Sequence, residues 1–351
     1  MKIFITGGLG FIGSNYILNK INNESIEILN YDKVTYAANP QNLSSIQDNI
    51  NYHFIKGDIC DANKLKDSIN HFEPDIVINF AAESHVDRSI NSPMDFIQTN
   101  VVGTVNLLEA SLAYFNKNKL ENKDRFIFLH ISTDEVFGEL GESGFFKEST
   151  SYSPNSPYSA SKASSDHFVR AWSNTFGLPT MISNCSNNFG PFQFPEKLIP
   201  LMIIKCINRE PLPVYGKGNN IRDWIHVNDH CSAIDSIIEK GSIGDTYLIG
   251  SDNEMTNIDI VNMICSHFNK SSINEDDFDY LSLIKFVDDR PGHDFRYAID
   301  NSKIKDKLGW KPEYSFNKGL SETINWYIDN KQWYENILKG RSIERLGTIK
   351  R

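Results

Sequence analysis

A short apolar run, Lys2–Thr6, reads as a strand and is followed almost at once by a helical run from Phe11, so the chain between them must turn sharply. Gly7, Gly8, Gly10 and Gly13 occupy that turn. Glycines there permit a tight bend, let the helix pack close to the strand and leave the helix N-terminus open to an anion. A strand, this loop and a helix in succession form the context in which such glycines cradle a dinucleotide pyrophosphate. Asp32 ends the next strand, 19 residues beyond Gly13. A carboxylate at that place accepts hydrogen bonds from both adenosine ribose hydroxyls and repels a 2′-phosphate. No arginine lies near Asp32 in the sequence to receive that phosphate, so the first 35 residues point to NAD rather than NADP. Asp58 follows a third strand, where it suits either the adenine amino group or an ordinary turn.

The alternation continues. Ile26–Tyr31, Asp75–Phe80, Phe126–Ser132 and Thr180–Cys185 read as strands buried on both faces, with helical runs near Phe11–Ile21, Met94–Phe115 and Tyr158–Phe176 between them. This pattern predicts an α/β fold, a Rossmann-type doubly wound parallel sheet. From about Leu212 the pattern becomes irregular. Short strands at Leu212–Tyr215, Thr246–Ile249 and Ile284–Val287 and helices near Ile258–Phe268 and Asn317–Asn330 read as a smaller, discontinuous C-terminal substrate-binding lobe. The expected division is 1–190 for the dinucleotide-binding domain, 191–335 mainly for that lobe with some segments returning to the sheet, and 336–351 for a tail.

With 40% hydrophobic and 23% charged residues the chain has ordinary globular usage, and its 351 residues suffice for a large core. No run is long and apolar enough to span a membrane, and MKIFITGG enters a strand without signal-peptide architecture, so a cytoplasmic protein is expected. Cys60, Cys185, Cys206, Cys231 and Cys265 lack CxxC spacing and read as buried free thiols. No metal site is indicated: His226 and His230 flank Asp229 without further ligands. A net charge of −10 argues against nucleic acid as a partner and requires local arginines to hold any anionic substrate.

Phe126–Ser132 delivers Ser132, Thr133, Asp134 and Glu135 to the carboxyl end of its strand, the edge where open α/β sheets place ligands. Downstream, Pro157 opens a helix on which Tyr158 and Lys162, at i and i+4, share a face. Lysine there is expected to lower the phenol's pKa while bonding the nicotinamide ribose, which makes Tyr158 a usable base.

The glycine loop, the polar strand end and the Tyr158/Lys162 pair together are the signature of the extended short-chain dehydrogenase/reductase superfamily. Ala81–Ser89, Ser132–Gly138, Asn184–Pro191 and Asp289–Asp294 closely resemble the dTDP-glucose 4,6-dehydratase family, from Met1 to about residue 330. The resemblance implies a lyase that converts dTDP-glucose to dTDP-4-keto-6-deoxyglucose and water, with a tightly held NAD regenerated in each turnover. In that reaction Tyr158 takes the 4-hydroxyl proton as the C4 hydride passes to NAD. Glu135 removes the C5 proton, Asp134 as a neutral acid protonates the departing 6-hydroxyl, and the hydride returns to C6. Thr133 would bond the 4-oxygen. Two carboxyls must therefore hold opposite protonation states.

The resemblance also implies cofactor contacts from Gly7, Gly10, Phe11, Ile12, Gly13, Asp32, Lys33, Thr35, Asp58, Ile59, Phe80, Ala81, Ala82, Ser84, Thr99, Tyr158, Lys162 and Asn188. It implies substrate contacts from Ser84, Asp87, Thr133, Asn187, Lys197, Leu198, Pro213, Tyr215, Arg222, Asn257, Arg290 and His293. Arg222, read as lying in a Gly-rich loop, and Arg290 would fork onto the diphosphate, while Pro213 and Tyr215 would pack near the base. His85 is given a structural or positioning role. Superfamily analogy further implies a homodimer built on a four-helix interface that includes the Met94–Phe115 and Tyr158–Phe176 helices. Phe137 and Phe189 stand where the family usually carries tyrosine, with expected consequences for pocket hydration or ordering. A UDP-glucose 4,6-dehydratase and, at greater distance, a non-catalytic NAD-binding scaffold are the competing readings.

Overall fold

The computed structural model describes residues 1–119, 126–271, 274 and 276–339. Its strands in the first half are Lys2–Thr6 (β1), Glu27–Asp32 (β2), Tyr52–Lys56 (β3), Ile76–Asn79 (β4), Ile127–Thr133 (β5) and Thr180–Cys185 (β6). Asn187–Phe189 (β7), Leu212–Tyr215 (β8), Ile221–His226 (β9), Thr246–Ile249 (β10), Glu254–Thr256 (β11) and Ile284–Val287 (β12) follow. The largest sheet pairs seven strands in parallel in the order β10-β6-β5-β4-β1-β2-β3. The order reverses between β1 and β4, which opens a crevice at the carboxyl ends of those strands.

Alternation along the strands explains why the sheet needs cover on both faces. Ile3, Ile5, Ile76, Ile78, Leu129 and Ile131 pack with side chains of helices Phe11–Lys20, Val227–Lys240 and Ser302–Leu308. The neighbouring positions Phe4, Leu29, Val77, Phe128 and Ile182 face the other way, onto helices Ala62–Phe72, Thr104–Lys119 and Pro157–Phe176. Each fully buried aliphatic or aromatic side chain of this kind contributes about 1.5–3 kcal/mol of apolar burial. A second core gathers Phe189, helix Leu198–Ile207, Trp224, helix Asn257–Lys270 and the aromatics Tyr327, Trp333 and Tyr334. Trp326 and Trp333 pack edge to face at 5.0 Å in that cluster.

The chain crosses between the two cores more than once. β7 pairs with β9 in a sheet that also holds β11, whereas β10 and helix Val227–Lys240 return to the large sheet. The segment expected to leave as a tail at 336 stays helical to Leu338, because Trp333 and Tyr334 anchor helix Lys331–Leu338 in the second core. Residues 340–351 of the expected tail lie outside the described residues.

Three other expectations change. The helical run near Met94–Phe115 is divided into Pro93–Phe96, a π-helical stretch Ile97–Gly103 and Thr104–Lys119. The wider turn directs Asn100 inward, where its amide bonds both backbone groups of Glu83 at 2.8 and 3.0 Å and Ser161 Oγ at 2.8 Å. Arg222 sits within β9 rather than in a loop. All five cysteines are free, yet Cys60 is only half-buried, its thiol directed at the Gln98 carbonyl. Phe137 stacks on Phe146 at 5.2 Å and Phe189 packs against Trp224, His226 and Phe316, so both rings fill cores rather than touch a pocket.

Helix Pro157–Phe176 starts at a reciprocal cap. Ser159 N donates to Ser156 Oγ at 3.0 Å and Ser156 N donates to Ser159 Oγ at 3.0 Å, with Pro157 in the first turn. Gly177, in the left-handed region at φ 69°, ends it. Replacing Ser156 by alanine is expected to lower stability by about 1 kcal/mol, read as a shifted urea midpoint with an unchanged slope.

Candidate active site

The crevice at the β1/β4 reversal forms a cleft of about 300 Å³. Gly7 has φ +71°, and a Cβ there would come within 2.6 Å of Ala81 N at the end of β4. Gly13 brings its helix so close that a Cβ would lie 2.6 Å from the Gly7 carbonyl. The two glycines thus hold strand, loop and helix in contact and leave the helix N-terminus facing the cleft. Asp32 ends β2 and braces this loop, accepting from Leu9 N at 2.9 Å and Val34 N at 2.7 Å. Burial raises its pKa, against the pull of those two bonds. Asp58 pairs with Lys33 at 2.8 Å and accepts from Cys60 N at 2.9 Å. Every residue that the resemblance assigned to the dinucleotide lines this cleft.

β5 carries Thr133, Asp134 and Glu135 to the same edge, where a 3₁₀ turn at Asp134–Phe137 ends the strand. Thr133 caps the turn by accepting from Glu135 N at 3.2 Å, and its hydroxyl donates to Asp134 Oδ1 at 3.2 Å. Asp134 is 1% exposed, and its Oδ2 has no hydrogen-bond partner among the described residues. Burial pushes its pKa far above the usual carboxylate range, and the charges of Glu135 and Asp223 push it further. Burial also raises Glu135, but Arg290, Lys197 and Arg222 pull the other way. Both carboxyls are thus raised, Asp134 the further of the two, although Arg222 pulls on each.

Tyr158 and Lys162 reach the cleft from helix Pro157–Phe176. The expectation that the lysine depresses the phenol's pKa is not met in the protein alone. Lys162 Nζ donates to the Ile131 carbonyl at 2.8 Å and lies 3.2 Å from His130 Nε2, while burial and the charge of Glu135 raise Tyr158 well above 10, against a hydrogen bond from Thr133. Burial lowers Lys162 itself to about 8.

Behind these residues lies a polar cluster that the sequence reading missed. Asp166 Oδ2 accepts from Ser132 Oγ at 2.9 Å, Tyr152 OH at 2.7 Å and Asn184 Nδ2 at 3.0 Å. His130 Nε2 lies 3.5 Å from Asp166 Oδ1, and burial and Lys162 keep the imidazole neutral. Two signals were available: Asp166 extends the i, i+4 series of Tyr158 and Lys162, and His130 shares a strand face with Ser132.

A smaller cleft of about 140 Å³ meets the first at Glu135, Asn187, Asn188, Gln193 and Lys197. Lys197, Leu198, Tyr215, Arg222, Asn257, Arg290 and His293 line it, as does Asp87. Arg290 donates to Asp87 Oδ1 at 2.7 Å, Tyr215 OH donates to Asp87 Oδ2 at 3.0 Å, and Arg290 Nε is buried with no hydrogen-bond partner among the described residues. Arg222 spends three donor bonds on the carbonyls of Ile221, Asp294 and Phe295, which leaves two of its five N–H groups for a ligand. Burial and the two arginines lower His293 to about 4, and it bonds Asp289 at 2.7 Å. Ser84 and Thr133 line the larger cleft. Pro213 lines neither, its backbone paired with Lys285 of β12. His85 caps helix Val86–Asn91 through a bond from Asp87 N at 3.2 Å.

Residues 4–323 match the family model described as GDP-mannose 4,6 dehydratase. A dTDP-glucose 4,6-dehydratase of Xanthomonas campestris pv. campestris is 52% identical over 344 residues, which cover 98% of each chain. The crystal structure of dTDP-glucose 4,6-dehydratase from Bacillus anthracis in complex with NAD aligns with a TM-score of 0.84 and 43% identity, covering 96% of this chain and 99% of that one. DesIV, the dTDP-glucose 4,6-dehydratase of Streptomyces venezuelae with NAD and TYD bound, aligns with a TM-score of 0.88 and 38% identity over 96% of this chain and 100% of that one.

Gly7→Ala combines a positive φ with a backbone clash. It is expected to cost more than about 1 kcal/mol of stability, measured by denaturant unfolding beside Gly144→Ala, whose Cβ would meet nothing within 4 Å.

Proposed function

The chain belongs to the dTDP-glucose 4,6-dehydratase family, and from that premise we infer that it converts dTDP-glucose to dTDP-4-keto-6-deoxyglucose and water with NAD held in the larger cleft. The observation that carries this reading is the pair of carboxyls at the end of β5, Asp134 dry and held strongly toward its protonated form, Glu135 less so because Arg290 and Lys197 pull against its burial. A simple epimerisation at C4 needs no such pair.

The larger cleft fits NAD: Gly7 and Gly13 leave space that a Cβ would fill, and Asp32 stands at the end of β2 with oxygen lone pairs for a ribose. When bound, NAD supplies the redox capacity, with two electrons leaving the sugar at C4 and returning at C6. Tyr158, protonated in the protein alone, would act as the base once the positive charge of the oxidised cofactor offsets its burial, and as phenolate would take the proton of the 4-hydroxyl, whose oxygen Thr133 orients. The carbonyl formed at C4 acidifies C5, and Glu135 as a carboxylate takes the C5 proton. Asp134, held neutral, gives its proton through Oδ2 to the 6-oxygen, which leaves as water; as the two electrons come back at C6, Glu135 returns its proton to C5, and the proton taken by Tyr158 makes up the one Asp134 gave. Lys162 bonds the nicotinamide ribose, and Arg222, Arg290 and Lys197 hold the diphosphate against the net negative charge of the chain. Ser84, Asp87, Asn187, Leu198, Tyr215, Asn257 and His293 shape the nucleotide-sugar site around them.

A cytoplasmic location is part of the same proposal, with five free thiols as its support. We further assign the enzyme a homodimeric state. Met94, Ile97 and Val102 on one helical run and Phe168 and Phe176 on helix Pro157–Phe176 are large apolar side chains left exposed, and the two runs pack side by side. Sedimentation equilibrium is expected to give twice the chain mass, and Phe168→Arg with Phe176→Arg to give the monomer. A wild-type monomer overturns the assignment.

Glu135→Gln is expected to lower dehydration about 100-fold or more while NAD stays bound, read as the 4-keto-6-deoxy product formed from dTDP-glucose, with UDP-glucose tested in parallel. Near wild-type turnover in that variant would defeat the reading. Because Glu135 works ionised and its pKa lies above 4.5, the rate falls as pH drops through that raised value. Because Asp134 works protonated, the rate falls again at the alkaline side, once pH exceeds its own strongly raised pKa. The two limbs belong to the pair, and Asp134→Asn removes the alkaline one.

A further inference from the structure

We infer that Tyr36, Arg88 and Glu196 form a latch across the dinucleotide cleft and, as positioning residues, set how fast the cofactor exchanges. The inference rests on the reading of that cleft as an NAD site. Three separate segments meet here. Thr35, Ala37 and Ala38 line the cleft from the segment after β2, and Gln193, Phe194 and Lys197 line it from the segment after β7. Tyr36 and Arg88 themselves line neither cleft, and Glu196 lines only the smaller one.

The segments are tied by a closed set of contacts. Tyr36 OH donates to Glu196 Oε1 at 3.2 Å, and the Tyr36 ring meets Phe194 edge to face at 5.6 Å. The Arg88 guanidinium lies 3.9 Å from the centre of the Tyr36 ring and donates through Nε and Nη2 to Glu196 Oε2, both at 3.1 Å. The Glu196 side chain is 11% exposed, so its carboxylate depends on these partners while the segments stay together. His85 Nε2 stands 3.7 Å from the same oxygen, but burial and the nearby Lys197 hold that imidazole neutral near a pKa of about 3, so the cations that act on the carboxylate are Lys197, through its charge, and Arg88, which also bonds it. The segment carrying Phe194 and Glu196 is pinned at its other end as well, where Asn15 Nδ2 donates to the Pro191 carbonyl at 2.9 Å. That contact joins it to the helix that follows the glycine loop.

The segment fixed at Pro191 and fastened at Glu196 thus joins two stretches of chain that line the cleft. A dinucleotide on the glycine loop leaves when the fastening opens, which separates Arg88 and Tyr36 from the carboxylate and rehydrates all three. An enzyme whose hydride returns to the same sugar gains from such a barrier, since its cofactor has no need to exchange between turnovers.

The test measures association and dissociation of isotopically labelled NAD on the full-length protein, for wild type, Tyr36→Phe and Glu196→Gln. Tyr36→Phe removes one hydroxyl and keeps the ring, and circular dichroism confirms that each variant is folded. Both variants are expected to exchange NAD about tenfold faster or more, with entry and exit accelerated together so that Kd moves less than the off-rate. Unchanged exchange in both variants overturns the latch. So does a faster off-rate with an unchanged on-rate, which describes an ordinary binding contact. Failure of the wild type to take up NAD overturns the cofactor reading, and the latch with it, before any variant is compared.

Discussion

Asp134 and Glu135 are joined by one peptide bond, and the site depends on keeping their protonation states apart. Burial raises both carboxyls, and the charge of Glu135 raises Asp134 further. Adjacent carboxyls in a dry crevice therefore do not both ionise readily near neutral pH. The protein decides which one does through the turn that ends β5. Thr133 caps that turn, Asp134 is drawn back beside its hydroxyl and within the field of Asp223, and Glu135 is left toward Arg290, Lys197 and Arg222.

The cations that stabilise Glu135 come from the second lobe, so the chemistry requires both cores to stay in register. Arg290 is held by Asp87 and Tyr215, and Arg222 by three backbone carbonyls and the face of Tyr297, 4.2 Å from its guanidinium. These anchors fix the guanidinium groups before a ligand arrives, which reduces the ordering cost of binding. They also explain how a chain of net charge −10 can hold cationic groups ready beside an anionic ligand. Distant surface charges are screened within about 8 Å at physiological salt, while buried guanidinium groups beside the ligand are not.

Local rules made the first lobe legible. Gly7 and Gly13 occupy places where a Cβ would clash with backbone, and the strands of the large sheet are short apolar runs buried on both faces, so composition and position agree there. The second lobe was read more coarsely. β7, β9 and β11 are short, and their pairing joins residues far apart in sequence, such as Asn187 with Trp224 and Met255 with Arg222. Arg222 looked like a loop residue because Gly216 and Gly218 precede it, but tertiary pairing draws it into a strand. The π-helical stretch at Ile97–Gly103 leaves no periodic mark strong enough to distinguish it from an α-helix. Asp166 and His130 were overlooked for a different reason: spacing places each on the right face of its own element, but their partners Ser132, Tyr152 and Asn184 come together only in the folded chain.

Helix Pro157–Phe176 shows how the fold economises on rigid parts. Tyr158, Lys162 and Asp166 follow one another at i, i+4 and i+8, so a single stripe meets the reactive cleft, the carboxyl end of β5 and the Ser132–Asn184 layer behind it. Lys162 is fastened to the backbone of Ile131, one residue from Ser132, which Asp166 holds in turn. A rotation of this helix would therefore move the tyrosine and strain the strand that carries Thr133, Asp134 and Glu135 together. The reciprocal serine cap at one end and the left-handed glycine at the other resist that rotation. The base and the carboxyl pair are thus referred to one frame, although residues 134 and 158 come from different elements.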